Sequence, residues 1–548
     1  MALLDVPGPK PPSPWRDWVP KWLGCLTLFY LFFPLLFVSG AFGSNSANMV
    51  GGLGILSEHI MFSTFAAAIG LVIAGPYLLY IIKSYSRRAI YLVGLPIMFL
   101  LSGICGNTDS MLMLFVCSTL MGILRVFLML TTLFGLLGTL AGVDVLAMLS
   151  AGGDGKAMEG MVTKQFIMQG VFYFIFLSIG QIGNYITAIL AYDYQWQMVY
   201  WFVGAMLLVG MLLILILMKP DQWRINRSIE FPPVIPAIAA AIFFLSLSYI
   251  LVYGKTYDWF DDRRIALAGA VTLVSLGVFL LTNRRNNKYY IELKAFAVPS
   301  VIVASIFFTL VMIMNSSSSL VSTFMGFSMK MDSVQSAAIG NWQILGFFIA
   351  IVINITMQLK GAKPRWFIIV GFAFMTLSAI YMYFQYQTSA EYDKMILPTI
   401  VRSIGMMMIY AFCGNYGMRQ LNIGRQLGTW VFIMLTFRAV VGPVGGAAIY
   451  SNVINQRTQN YVERFAGDTD ASNPAIASGF QRTQMGGVMQ GKSYVEATQL
   501  ASTSTKGSVQ LHAMTATLKE VTGWTIWFGI GCVALAMFFP FIQRPKVE

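Results

Sequence analysis

The chain has 548 residues, 57% of them hydrophobic and only 11% charged, with a formal net charge of +13. Soluble domains carry roughly 25% charged residues, and a mean hydropathy of +0.69 sustained over this length excludes a soluble fold. Two histidines, His59 and His512, are too few for a histidine-rich metal oxygenase. The five cysteines (Cys25, Cys105, Cys117, Cys413, Cys532) all fall in apolar runs, where cysteine packs as a small hydrophobe. Neither a metal centre nor a disulfide is therefore assigned.

The first apolar run, "LGCLTLFYLFFPLLFVSGAFG", follows "PWRDWVPKW". At about 20 residues it exceeds a typical signal-peptide core, and no small-residue cleavage site stands out after it, so it reads as a retained spanning helix. Further runs of spanning length have centres near residues 70, 97, 123, 178, 208, 242, 273, 304, 345, 375, 406, 438 and 533. With the first, near residue 32, they predict an all-α polytopic membrane protein of about fourteen helices. Most connectors are short. The exception, roughly 452–522, is rich in Gln, Ser, Thr and Gly, and within it "RTQNYVERF" and "HAMTATLKEVTG" can form short helices.

Lysine and arginine set the orientation. With the N-terminus in the cytoplasm, the inner segments hold 22 of the 36 basic residues and the short outer loops hold 5 (Lys255, Arg263, Arg264, Lys330, Lys394). The long 452–522 connector holds 6 more, and 3 fall inside spans: Arg125, Arg402 and Arg438. Both termini are therefore expected inside. The positive charge is mostly a topology signal, and no nucleic-acid partner is inferred from it.

Each embedded arginine is costly, about 2.5–3.5 kcal/mol by insertion scales, and so calls for a partner or a cavity. They also occur in a pattern. Arg125 in "LMGILRVFLML" and Arg402 in "TIVRSIGMMMI" each precede, by one helix, a glycine cluster: "GQIGN" at 180–184 and "GPVGG" at 442–446. Gly180 and Gly183 match Gly442 and Gly445 in spacing, with Pro443 and Gly446 completing the second cluster. The same order occurring twice predicts two homologous bundles, about 1–228 and 286–548, related by an axis along the membrane normal, with an inserted helix pair at 229–285. Small residues at helix interfaces let the backbones approach and slide.

These features resemble the major facilitator superfamily, and more narrowly its fourteen-helix EmrB/QacA drug-resistance branch. "GPVGG" is similar to the antiporter motif G-P-x-x-G-G. "AGPYLLYIIKSYSRRAIYL" resembles the second-to-third helix motif through Gly75 and the pair Arg87–Arg88, with Lys83 where an acid and Ser86 where a glycine are expected. "YDYQWQMVYWF" resembles the aromatic turn before the sixth helix, and "GKTYDWFDD" a run typical of the junction between the two extra central helices. The resemblance implies secondary transport of a small-molecule substrate across a lipid bilayer, most simply proton-coupled efflux of amphipathic drugs or toxic compounds. It implies no enzyme activity and no cofactor. It further implies a bacterial inner membrane, and a periplasmic adaptor protein with an outer-membrane channel as partners of the 452–522 segment.

Departures accompany the likeness. The first helix has no acid, and none of the 23 acidic residues sits in the middle of a predicted span. Glu58 and Asp332, at the outer ends of the second and tenth helices, are the remaining carboxylate candidates for coupling, beside Arg125, Arg402 and Arg438. Thirty-four methionines and 14% aromatics would line an adaptable cavity, although spanning helices are rich in them anyway. No phosphate-binding glycine loop followed by Lys and Ser/Thr is present. The alternative readings are a facilitator-fold importer or exporter of one metabolite and, more remotely, a non-transporting scaffold or membrane enzyme.

Overall fold

The computed structural model describes residues 14–141, 155–220, 222–224, 229–285, 288–387, 390–421, 423–467, 469 and 474–541. Among these, thirteen helices are long and apolar enough to cross a membrane, and a shorter apolar helix of 17 residues precedes them. In chain order they are α1 (Lys21–Phe37), α2 (Ser57–Ser84), α3 (Arg87–Asn107), α4 (Met111–Leu136), α5 (Gly170–Asp193), α6 (Met198–Leu217) and α7 (Ile235–Tyr253). There follow α8 (Arg263–Thr282), α9 (Pro299–Phe327), α10 (Ser333–Leu359), α11 (Pro364–Gln385), α12 (Tyr392–Gln420), α13 (Gln426–Gly467) and α14 (Tyr494–Phe538). The end at which α1 starts and α14 finishes is called inner below.

In hydrocarbon, helices are the simplest way to satisfy every backbone group within one segment. Local chemistry marks where they start. Pro236, Pro299 and Pro364 lie in first turns, where a missing N–H is harmless. Ser86, in the place where the resemblance expects glycine, caps α3 by accepting from the Ala89 N–H, and Asp262 caps α8 by accepting from the Arg264 N–H. In the turn between α7 and α8, Asp258 and Trp259 adopt φ of 52° and 57°. A short antiparallel ladder, Arg284–Arg285 with Lys288–Tyr289, leads from α8 towards α9.

α4 packs against α1, α2 and α3, and α3 against α6; α12 packs against α9, α10 and α11, and α11 against α14. The pairings recur eight helices later. They define two six-helix bundles, with α7 and α8 packed on each other and α7 resting on α2. The tightest contacts recur too. A Cβ on Gly94 would meet the Leu128 side chain at 2.8 Å, and one on Gly405 would meet the Gly371 carbonyl at 2.3 Å. Gly94 and Gly371, Leu128 and Gly405, and Arg125 and Arg402 are each 277 residues apart.

The segment expected as a long outer loop is instead largely helical. α13 runs on to Gly467, a helix spans Pro474–Met489, and α14 begins at Tyr494 and continues unbroken for 45 residues. At about 1.5 Å per residue α14 is about 68 Å long, more than twice a hydrocarbon core of about 30 Å. Low hydropathy suggested a loop, but helix formation here rests on other terms. Ser493 and Glu496 form a capping box at the start of α14. Its threonines at 498, 505, 515 and 517 donate to carbonyls one turn back, so their hydroxyls do not compete with the helix. Ala497, Ala501 and Ala513 are buried against neighbours.

Candidate functional site

The bundles meet along α2 and α5 on one side and α10, α12 and α13 on the other. At the inner ends, α2 and α13 approach backbone to backbone. A Cβ on Gly75 would lie 3.2 Å from Val431 Cγ1, and one on Gly428 would lie 3.0 Å from the Pro76 carbonyl. Glycine at both positions is what permits this approach. Gly75, expected from its motif, thus acts across the bundle interface.

Arg438 sits at this interface. It is 8% exposed, and its guanidinium lies 4.1 Å from the ring centre of Tyr410 on α12, 4.9 Å from Tyr173 and 5.6 Å from Phe176, both on α5. One cation therefore contacts aromatic faces of both bundles. Tyr173 also directs its hydroxyl at Met434 Sδ, 3.6 Å away, one turn before Arg438. α13 widens into a π-helix over Thr436–Val441, immediately before Pro443. A proline ring collides with the carbonyl four residues back in a regular α-helix, and the wider turn gives it room. The local strain that Pro443 imposes thus coincides with the residue that joins the bundles.

The other two arginines lie within bundles. Arg125 Nη2 donates to the Leu36 carbonyl at 3.1 Å, tying α4 to α1, while its Nε has no partner. Arg402 faces a small cavity inside the second bundle. Among the described residues, no carboxylate lies within 4.0 Å of any of the three.

The glycine clusters divide their work differently from their spacing. Gly183 packs on Phe37 of α1, while Gly442 and Gly446 pack on Met312 and Ser316 of α9, each at under 2.5 Å from an imagined Cβ. Gly180 and Gly445 have nothing within 4 Å. Arg88 Nη2 donates to the Leu215 carbonyl at 3.3 Å and so ties α3 to α6; Arg87 starts α3.

The two carboxylate candidates are both at helix ends. Glu58 pairs with Lys255 at 3.2 Å and accepts from Ser57. Next to it, His59 Nδ1 is hydrogen-bonded to the Tyr253 hydroxyl of α7. This cluster fastens the inserted pair to α2. Asp332 caps α10 by accepting from the Gln335 N–H at 2.7 Å. Among the described residues, no group of three or more His, Cys, Asp or Glu could hold a metal ion.

Sequence reasoning did not find the inner clasp formed by the segment after α8. Tyr290 is 3% exposed and donates to the Ile73 carbonyl of α2 at 2.7 Å, with its ring 5.9 Å from Phe432 of α13. Glu292 Oε2 accepts from Gln426 Nε2 of α13 at 2.7 Å, and its N–H donates to Thr429 Oγ1 at 3.2 Å. This connector touches both bundles at once. The only signal available was "KYYIE", an aromatic pair and an acid in a basic inner connector.

No family model matches the sequence, and no curated protein matches it. Among solved structures, a point mutant of the nucleoside transporter NupG is similar to this chain with a TM-score of 0.52 at 12% identity, covering 95% of this chain and 100% of that one. A POT family peptide transporter in an auto-inhibited form gives 0.46 at 12% identity, over 96% of this chain and 99% of that one. At such identity the likeness is one of fold. The chain is a multi-pass membrane protein with the major facilitator fold, two six-helix bundles plus an inserted pair.

Proposed function

We propose that this chain is a secondary transporter that works by alternating access, and that it exports amphipathic compounds. The observation that carries the reading is Arg438, a cation buried between the bundles that no carboxylate neutralises among the described residues. Rocking of the bundles must make and break its contacts with α5. The same lack of carboxylates favours cargo with an apolar body and a negative end over an organic cation, since fixed positive charge repels the latter. Proton coupling is the finer reading: a weak-acid cargo carries an acidic group of its own, of a kind absent from the middle of the predicted spans.

The orientation follows from the basic residues, 22 in inner segments against 5 in short outer loops. In this reading both termini are cytoplasmic and the α13–α14 projection lies outside, and the resemblance to the drug-resistance branch suggests a bacterial inner membrane. That projection is the proposed seat of a periplasmic adaptor feeding an outer-membrane channel. A second reading, uptake of a defined metabolite, draws on the fold likeness to a nucleoside transporter.

The deciding experiment is flux in proteoliposomes with an imposed proton gradient, using matched anionic, neutral and cationic amphiphiles. Gradient-dependent movement of the anionic members is expected. Movement of cations alone would sink the charge argument, and movement of none of the panel would sink the export reading.

A further inference from the structure

Inside the second bundle, away from the bundle interface, α9, α11, α12 and α14 line a small pocket with about 20 Å³ of free volume. A single water needs roughly 10–15 Å³ by this measure. The space thus has room for one water or one monoatomic ion.

Its lining is unusual for a space this small. Arg402 Nη1 and Thr522 Oγ1 both border it, both atoms are buried, and neither has a partner at good hydrogen-bond geometry. Thr522 is only 2% exposed. The Tyr386 hydroxyl lies beside them, close enough to interact with both. Three other hydroxyls in the lining are committed: Ser378 donates to the Pro398 carbonyl at 2.7 Å, Thr399 to the Met395 carbonyl at 2.8 Å and Thr525 to the Val521 carbonyl at 2.9 Å. No carboxylate lines the cavity. The nearest acid along α14, Glu520, is paired with Arg457 at 3.6 Å.

The chemistry is that of an anion site. A half-buried guanidinium with a buried, unpaired N–H and no counter-charge beside it is costly. A water could accept one bond from Arg402 but would leave the charge uncompensated. A halide accepts from Arg402 and from the Thr522 and Tyr386 hydroxyls together, and neutralises the charge. We propose that Arg402, Thr522 and Tyr386 form a structural halide site, occupied by chloride, that ties α11, α12 and α14 together. The site is independent of what the protein transports.

A ligand that binds only the folded state raises its stability in proportion to the logarithm of its concentration above Kd. The test is thermal unfolding of the purified full-length protein in detergent, in sodium chloride, bromide or gluconate at constant ionic strength. A saturable rise in Tm with chloride and with bromide, absent in gluconate, is expected for the wild type. Arg402→Gln should abolish the rise, and Thr522→Val should weaken apparent halide affinity several-fold. Identical melting in chloride and gluconate, or a halide shift that survives Arg402→Gln, would overturn the proposal. Should Arg402→Gln fail to fold, Thr522→Val and bromide anomalous scattering from wild-type crystals decide. Bromide beside Arg402 supports the site, and a water there, or an unchanged response in Thr522→Val, refutes it.

Discussion

Replacing Arg438 with alanine removes a charged side chain that contacts both bundles. Its ring contact at 4.1 Å, to Tyr410, lies within the second bundle and does not depend on how the bundles sit. The contacts at 4.9 Å to Tyr173 and 5.6 Å to Phe176 cross the interface, and the proposed alternating-access cycle would break them as the inner ends part. Cation–π contacts are worth about 0.5–1 kcal/mol when exposed and about 2 kcal/mol when desolvated. Because Arg438 is buried but shares its charge among three rings, the two crossing contacts together are taken as about 2 kcal/mol. At 1.4 kcal/mol per tenfold, that loss shifts the closed-to-open ratio of the inner ends about 30-fold. Spin labels at Trp223→Cys and Leu359→Cys, exposed positions at the inner ends of opposite bundles, read the change by pulsed electron resonance. The alanine variant should gain a long-distance population that the parent lacks. Arg438→Lys should fall between the two, because an ammonium keeps the charge but not the planar stacking surface. Membrane insertion should not suffer, since an embedded charge has been removed. Unchanged distances together with unchanged flux would refute the assignment of Arg438 to the bundle interface.

Gly405→Val should lower Tm and yield, at a cost of about 1–3 kcal/mol, because its new Cβ would stand 2.3 Å from the Gly371 carbonyl and backbone cannot step aside. Gly445→Ala, with nothing within 4 Å, should leave Tm unchanged, and equal losses in the pair would contradict the packing described. Tyr290→Phe removes the bond to the Ile73 carbonyl, worth about 1 kcal/mol, and should open the inner ends about fivefold in the same spin-label assay. Replacing 468–492 with a short Gly-Ser linker should spare flux in proteoliposomes yet cost whole cells their resistance, if the projection docks an adaptor. Equal loss in both assays would instead assign that helix to the transporter's own stability.

The fold was legible in the sequence because hydrocarbon imposes it. A run of about 20 apolar residues has few alternatives to a helix, and the recurrence of Arg125 and Arg402 exposed the repeat. The 452–522 segment was misread as a loop because apolar periodicity is the signal that sequence reading follows. Its helices rest instead on a capping box, back-bonded threonines and buried alanines, which hydropathy barely registers. The site was only partly legible. An embedded arginine signals a partner without naming it, so Arg125, Arg402 and Arg438 were marked alike, while Tyr173, Phe176 and Tyr410, spread over two helices, could not be distinguished from ordinary packing aromatics. Glu58 and Asp332 drew notice as carboxylates near the membrane; in the structure Glu58 forms a salt bridge with Lys255 and Asp332 caps a helix. Tyr290 and Glu292 lie in a connector, where only the folded chain shows that one segment touches both bundles.

The central claim is that transport requires the inner ends of α2 and α13 to separate, and a reversible lock tests it most directly. Gly75→Cys with Val431→Cys, in a chain whose five native cysteines are replaced, places two thiols where a Cβ on Gly75 lies 3.2 Å from Val431 Cγ1. That proximity is compatible with the Cβ separation of about 3.5–4.5 Å that a disulfide needs. Oxidised protein in proteoliposomes should stop moving cargo, and reduction should restore flux to the level of the uncrosslinked control. Undiminished flux through fully crosslinked protein would contradict the account.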